Sequence, residues 1–186
     1  MQKPQDYDSA QALTAGRFDN PAAGWYVLGI VKAEEIKVKN GDRAGEPMLA
    51  LELDIAVGPH ANHYRKLSEK LGKPLYLRHN RVISQANYLK GDIQAIEKSN
   101  PGFIFNFDEK TLVRKLVGAA LREEEYLHAQ TQEVKSNIKI AFLCSKEDIG
   151  KGLPVPKKKV IDMSKEHTRQ PGEDDNFEPP QDNLPW

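Results

Sequence analysis

Ten consecutive residues, Met48–Val57, alternate between two kinds of side chain. Leu49, Leu51, Leu53, Ile55 and Val57 share one side, while Ala50, Glu52, Asp54 and Ala56 share the other. A period of two with one apolar face is the pattern of a half-buried β-strand; a helix repeats every 3.6 residues and cannot present it. The apolar face needs a covering layer, so the chain must build a sheet with its core on one side. Gly24–Ile36 (GWYVLGIVKAEEI) is rich in β-branched and aromatic residues and predicts a strand just before this one. Asn40-Gly41 and Gly45 are turn signals in the connection, Lys37–Pro47, which makes a hairpin with a long basic loop.

The middle of the chain changes period. Tyr64, Leu67 and Leu71 are spaced for a short helix that Gly72 and Pro74 would end. Val82, Ala86, Leu89, Ile93 and Ile96 step by three or four, which predicts an amphipathic helix with a break at Gly91. Asn100-Pro101-Gly102 would close it, and Phe103-Ile104-Phe105-Asn106-Phe107 sets three phenylalanines on one side of an extended segment. Strand patterns return at Lys115–Leu121 and Asn137–Cys144, flanking a polar hairpin end over Arg122–Ser136. Ile138, Ile140, Phe142 and Cys144 form one alternating face, with Cys144 as a small core residue. The order strand, strand, helical insert, strand, strand suits a mainly β fold. A five-stranded Greek-key OB-type barrel fits if a short third strand lies in residues 58–77, around Leu75–Leu77. An open antiparallel sheet with a helix on one face competes with it on equal terms.

The overall charge is zero, but it is unevenly placed. Residues 1–150 are close to neutral, 151–169 carry +4, and 170–186 carry −5. Three regions follow: a loose N-terminal arm over 1–23, a folded domain over 24–156, and a tail from about 157, basic and then acidic, whose composition predicts disorder. The first ten residues hold no apolar leader, and no stretch reaches the roughly 20 apolar residues of a membrane span. The single cysteine forbids an internal disulfide, so a cytoplasmic protein is expected.

No catalytic constellation emerges. Gly150-Lys151-Gly152 lacks the spacing of a phosphate loop. His60 and His63 have no third ligand at metal spacing, and a solvated loop explains them better. Glu123–Glu125, or Glu52 with Asp54, could hold magnesium in a nuclease; a charged strand end and a solvated sheet face are the simpler readings. The expectation is therefore a non-enzyme with no metal and no cofactor.

Cations and aromatics do cluster. Lys37, Lys39 and Arg43 crowd the first hairpin loop; Tyr64, Arg65 and Lys66 are consecutive; Arg78 and Arg81 precede the second helix; Tyr126, Lys135 and Lys139 lie near the last hairpin. Single strands are held by a cationic groove that tracks phosphates and by aromatic faces on which bases stack, so these are the candidate DNA-binding residues. Trp25 and Tyr26 point to opposite sides of their strand, one for the core and one as a stacking candidate. The chain ends in Asp182-Asn183-Leu184-Pro185-Trp186 after an acidic run. This resembles the acidic C-terminal tip of bacterial single-stranded-DNA-binding proteins, although it ends on tryptophan where they end on phenylalanine. It implies a partner-binding tip: the ring fills a pocket and the acids steer the encounter.

The body also resembles a group of phage-encoded single-stranded-DNA-binding proteins, long known as a domain of unknown function. The resemblance spans about Gly24 to Lys159. It is carried by GWYVLGIVKAEE, LELDIAVG, Ile96–Phe103, KLVGAALREEEY (Lys115–Tyr126) and GLPVPKKK (Gly152–Lys159). It implies an OB fold, sequence-independent binding of single-stranded DNA, and work in phage or prophage replication and recombination inside the bacterial host cytoplasm. Replication and recombination proteins are the partners implied for the tip; self-association stays open. An adaptor that never touches DNA is the alternative from another class, with the metal-dependent nuclease behind it and a structural virion protein last.

Overall fold

The computed structural model describes residues 21–128, 131 and 133–161. Five strands form one antiparallel sheet: β1 Gly24–Lys37, β2 Pro47–Ile55, β3 Leu77–Val82, β4 Leu116–Leu127 and β5 Val134–Cys144. Helix α1 (His63–Leu71) joins β2 to β3, and α2 (Ala86–Ser99) joins β3 to β4. The strand order is β3-β2-β1-β4-β5. That is the order of an OB-type barrel, with α2 in its expected place between the third and fourth strands. The barrel is not closed. The edge strands β3 and β5 approach within 8 Å between Cα atoms, yet no hydrogen-bonded ladder joins them among the described residues. No helix among the described residues is long and apolar enough to cross a membrane.

Two β-bulges bend the sheet around its core. At the first, Ile30 pairs with Leu53 and Lys32 with Glu52, leaving Val31 unopposed. At the second, Ala120 pairs with Phe142 and Leu121 with Ile140, leaving Ala141 unopposed. Inside the curve lie Leu28, Ile30, Leu51, Leu53, Ile55, Ile96, Leu112, Val117 and Leu121, each at most 2% exposed. Burying each such side chain contributes about 1.5–3 kcal/mol. The Met48–Val57 alternation stands as expected from Leu49 to Ile55; Val57 lies past the strand and is exposed.

Three expectations from the sequence change. The third strand does not sit around Leu75–Leu77 but runs Leu77–Val82, taking Val82 out of the helix. Its inward residues are Leu77, His79 and Arg81, so two of the three are polar and hide the apolar alternation. Helix α2 runs unbroken through Gly91, because Asp92 and the apolar stripe of Leu89, Ile93 and Ile96 fasten the turns on both sides. The Ala141 bulge reverses the end of β5: Ile138, Ile140 and Leu143 face the core, while Phe142 and Cys144 face away. Cys144 is thus not an inward core residue. It packs where Gly118 leaves room on the sheet's other face: a Cβ at Gly118 would stand 2.9 Å from the Cys144 sulfur.

The polar face of β2 is not simply solvated either. Asp54 is buried, and its carboxylate accepts the backbone N–H groups of Tyr64 at 3.0 Å and Arg65 at 2.9 Å. The residue at the start of α1, Asn62, makes no side-chain cap, so Asp54 satisfies the helix's first N–H groups from the neighbouring strand.

Candidate nucleic-acid interface

A single strand needs a surface with cations for phosphates and rings for bases. The face of the sheet turned away from the core is the place to seek one. On β1, β2 and β3, register aligns Lys32, Glu52 and Arg78 in one row and Glu34, Ala50 and Asn80 in the next. Lys32 pairs with Glu34 at 2.8 Å and Arg78 with Glu52 at 3.6 Å, so this part is a charge-balanced lattice.

The β4–β5 hairpin continues the same face. Tyr126 lies across from Lys135, Glu124 from Asn137, and Arg122 from Lys139. Past the bulge, Phe142, Ala120 and Trp25 align across three strands, and the Trp25 and Phe142 rings meet edge to face at 5.5 Å. The indole N–H of Trp25 donates to the Leu153 carbonyl at 3.0 Å, which fixes the ring's orientation. The face therefore reads aromatic, cationic, aromatic along the hairpin: Trp25 and Phe142, then Arg122, Lys139 and Lys135, then Tyr126. Glu124 sits among these cations and pairs with Arg122 and, at 3.7 Å, with Lys139.

The β1–β2 loop is different. Lys39 and Arg43 are exposed in it, and Lys37 is exposed at its start. Among the described residues none of the three makes an ion pair. They are the largest group of uncommitted cations that the sequence had placed together. The loop follows the C-terminal end of β1, whereas the β4–β5 hairpin extends past Gly24 at the other end.

Two of the expected DNA-binding residues are engaged in internal packing instead, Arg81 buried and Tyr64 partly buried. Arg81 is 6% exposed and faces inward, its Nε donating to Asp92 Oδ2 at 2.7 Å. Asp92 also meets His79 Nε2 at 2.9 Å. Burial alone would raise the Asp92 carboxyl, but His79 and Arg81 outweigh it and hold the group below the usual carboxylate range. This cluster pins α2 to β3 and cannot reach a ligand. Tyr64 packs against the core beside His63, and burial, helped by nearby Asp54 and Tyr26, pushes its phenol well above the ordinary value. Its ring is spent on that packing. Arg65 and Lys66 stay exposed on α1; Arg65 meets Glu69 at 3.2 Å, and the Lys66 ammonium donates to the Ala61 carbonyl.

The glutamate run has an intramolecular partner. Residues 157–161 lie along the free edge of β4: the Lys159 N–H donates to the Glu123 carbonyl, and the Glu125 N–H donates to the Lys159 carbonyl. The Lys158 ammonium reaches Glu123 and Glu125, each at 2.9 Å. The start of the expected tail is therefore an ordered strap, because β4 outruns β1 and leaves an unpaired edge lined with acids. The tip residues Asp182, Asn183, Leu184, Pro185 and Trp186 lie outside the described residues, as does the arm up to residue 20.

The carboxylates weighed for magnesium are engaged by protein donors: Asp54 by α1, Glu124 by Arg122, Glu123 and Glu125 by Lys158. No group of three His, Cys, Asp or Glu converges on a metal position among the described residues. Cys144 is no poised nucleophile, since burial, with Asp148 adding to it, pushes its thiol up to about 11.

Sequence reading missed Phe142 because the bulge that turns it outward leaves no mark in the alternation. It missed Lys32 because the lysine follows the other bulge, inside a strand read for its apolar residues. Compared with known proteins, the chain matches no family model and no curated sequence.

Proposed function

We propose that the chain binds single-stranded DNA without reading its sequence, in phage or prophage replication and recombination within a bacterial host. The strand would cross the outward face of the β4–β5 hairpin and reach the β1–β2 loop. The observation that carries this is the alternation on one sheet face of rings (Trp25, Phe142, Tyr126) and cations (Lys139, Lys135), with the uncommitted Lys37, Lys39 and Arg43 available to phosphates. Bases stack on rings whatever their identity, which suits a binder indifferent to sequence. The acidic tip Asp182–Trp186 would recruit replication and recombination proteins, and binding would involve no catalysis, metal or cofactor.

The test is fluorescence anisotropy of a labelled oligo-dT at two salt concentrations, beside a duplex of equal length. The expected result is salt-sensitive binding that the duplex does not show. Replacing Lys37, Lys39 and Arg43 by glutamine should reduce the slope of log K against log salt by about 0.7 for each phosphate no longer neutralised. Absence of binding at low salt would overturn the reading. The charge-balanced lattice of Lys32, Glu34, Glu52 and Arg78 favours one other reading, an adaptor that binds only a replication protein, and the same titration separates the two.

A further inference from the structure

The FIFNF segment plays no part in the surface just described, yet it breaks two rules at once. Phe107 is 83% exposed and Ile104 is 82% exposed, the most exposed large apolar side chains among the described residues. Phe107 also holds φ at +63°, a left-handed conformation that a bulky side chain rarely adopts. Glycine or asparagine would fit that backbone better, and a polar residue would fit that exposure better. The loop is nevertheless built to hold the ring there. The Asn106 side-chain oxygen accepts the Asp108 N–H at 3.2 Å, and Asp108 in turn accepts the Lys110 N–H and opens the turn Glu109–Leu112. Phe105, packed on the core, supports the Phe107 ring at 5.3 Å between centroids. Backbone outliers of this kind cluster at ligand-binding and switch regions, so this one motivates a functional hypothesis.

The surroundings say what the ring would meet. Lys110 and Arg114 are exposed and make no ion pair among the described residues. The Arg114 N–H donates to the Ile30 carbonyl at 2.8 Å, which fixes the Arg114 backbone beside the Val31 bulge of β1. An exposed ring carried on the same loop as two exposed cations without ion pairs among the described residues matches a base and its phosphates.

We infer that Phe107 is a stacking residue for an unpaired base, and that the bound strand runs on from the sheet face over the 103–114 loop, with Arg114 and Lys110 meeting its phosphates. This rests on the single-stranded-DNA reading and adds a binding position outside the sheet.

The experiment compares Phe107→Gly, Phe107→Leu and Phe107→Trp in oligo-dT titrations of the full chain, with a thermal melt of each. Loss of a base stack should weaken binding by about five- to a hundredfold in the Gly and Leu variants, while Trp keeps it. The Leu variant is decisive, because it retains apolar area and removes the π-face. Phe107→Gly should melt at or above the wild-type temperature, so weaker binding could not be blamed on misfolding. The salt slope should stay unchanged in all three and should fall in Arg114→Gln. If the wild type binds oligo-dT and the Gly and Leu variants bind equally well, this inference falls and the wider reading survives. If the wild type does not bind, both fall. A Leu variant that binds like wild type while Gly does not would also overturn stacking, in favour of simple apolar packing.

Discussion

Replacing Asp92 by asparagine removes one negative charge and almost no volume from the seam between α2 and β3. Both partners there are buried: the side chains of Arg81 and Asp92 are 7% and 8% exposed. Without the carboxylate, the Arg81 guanidinium stays in a poorly solvated site and loses its Asp92 counter-charge. Breaking a buried pair from one side costs about 3–5 kcal/mol, a large share of the 5–15 kcal/mol that holds a typical domain together. At roughly 4 °C per kcal/mol for a domain of about this size, the melting temperature should fall on the order of 10–20 °C. Removing both charges with Arg81→Met and Asp92→Leu should recover part of the loss, since no buried charge then faces an empty partner position, while the buried His79 ring loses its Asp92 contact. The pH dependence has a definite sign. The folded-state carboxyl is depressed, so its stabilisation is complete above the unfolded carboxylate value and is lost as pH falls through the folded one. The wild type should therefore lose stability on acidification below about pH 4, and Asp92→Asn should lose less over that interval. Denaturant titrations of the three proteins between pH 3 and 7 check this. A single-variant loss under 1 kcal/mol would refute the buried seam.

Gly118→Ala should destabilise the fold by about 1–3 kcal/mol in a denaturant melt, as overpacking does. The added carbon would lie 2.6 Å from the Ser145 carbonyl oxygen, on backbone that cannot swing aside. Cys144 should react slowly with iodoacetamide in the native protein: with its thiol near 11, only about three in ten thousand molecules are thiolate at pH 7.5, against about one in ten for an ordinary thiol. Mass spectrometry should show labelling jump once denaturant is added. Lys158→Glu should release the strap, read by hydrogen exchange as faster loss of protection at the Glu125 amide, which donates to Lys159. Unchanged exchange would mean that the backbone bonds alone hold it.

What the sequence by itself determined is the part written in short repeats. The alternation in β2, the helical steps of α1 and most of α2, and the turn at Asn100-Pro101-Gly102 each follow from neighbours within a few residues, where geometry is local. Tertiary structure decided the rest. Whether Arg81 is a surface cation or a buried one depends on Asp92, eleven residues away on another element. Which way Phe142 points depends on one extra residue in a ladder with β4. Why Glu123 and Glu125 sit on a strand depends on a strap that returns from residues 157–161. In each case a charge or a ring takes its role from a partner brought close only by folding. Local periodicity does not contain that partner, and so the sheet could be anticipated residue by residue while much of the surface it carries could not.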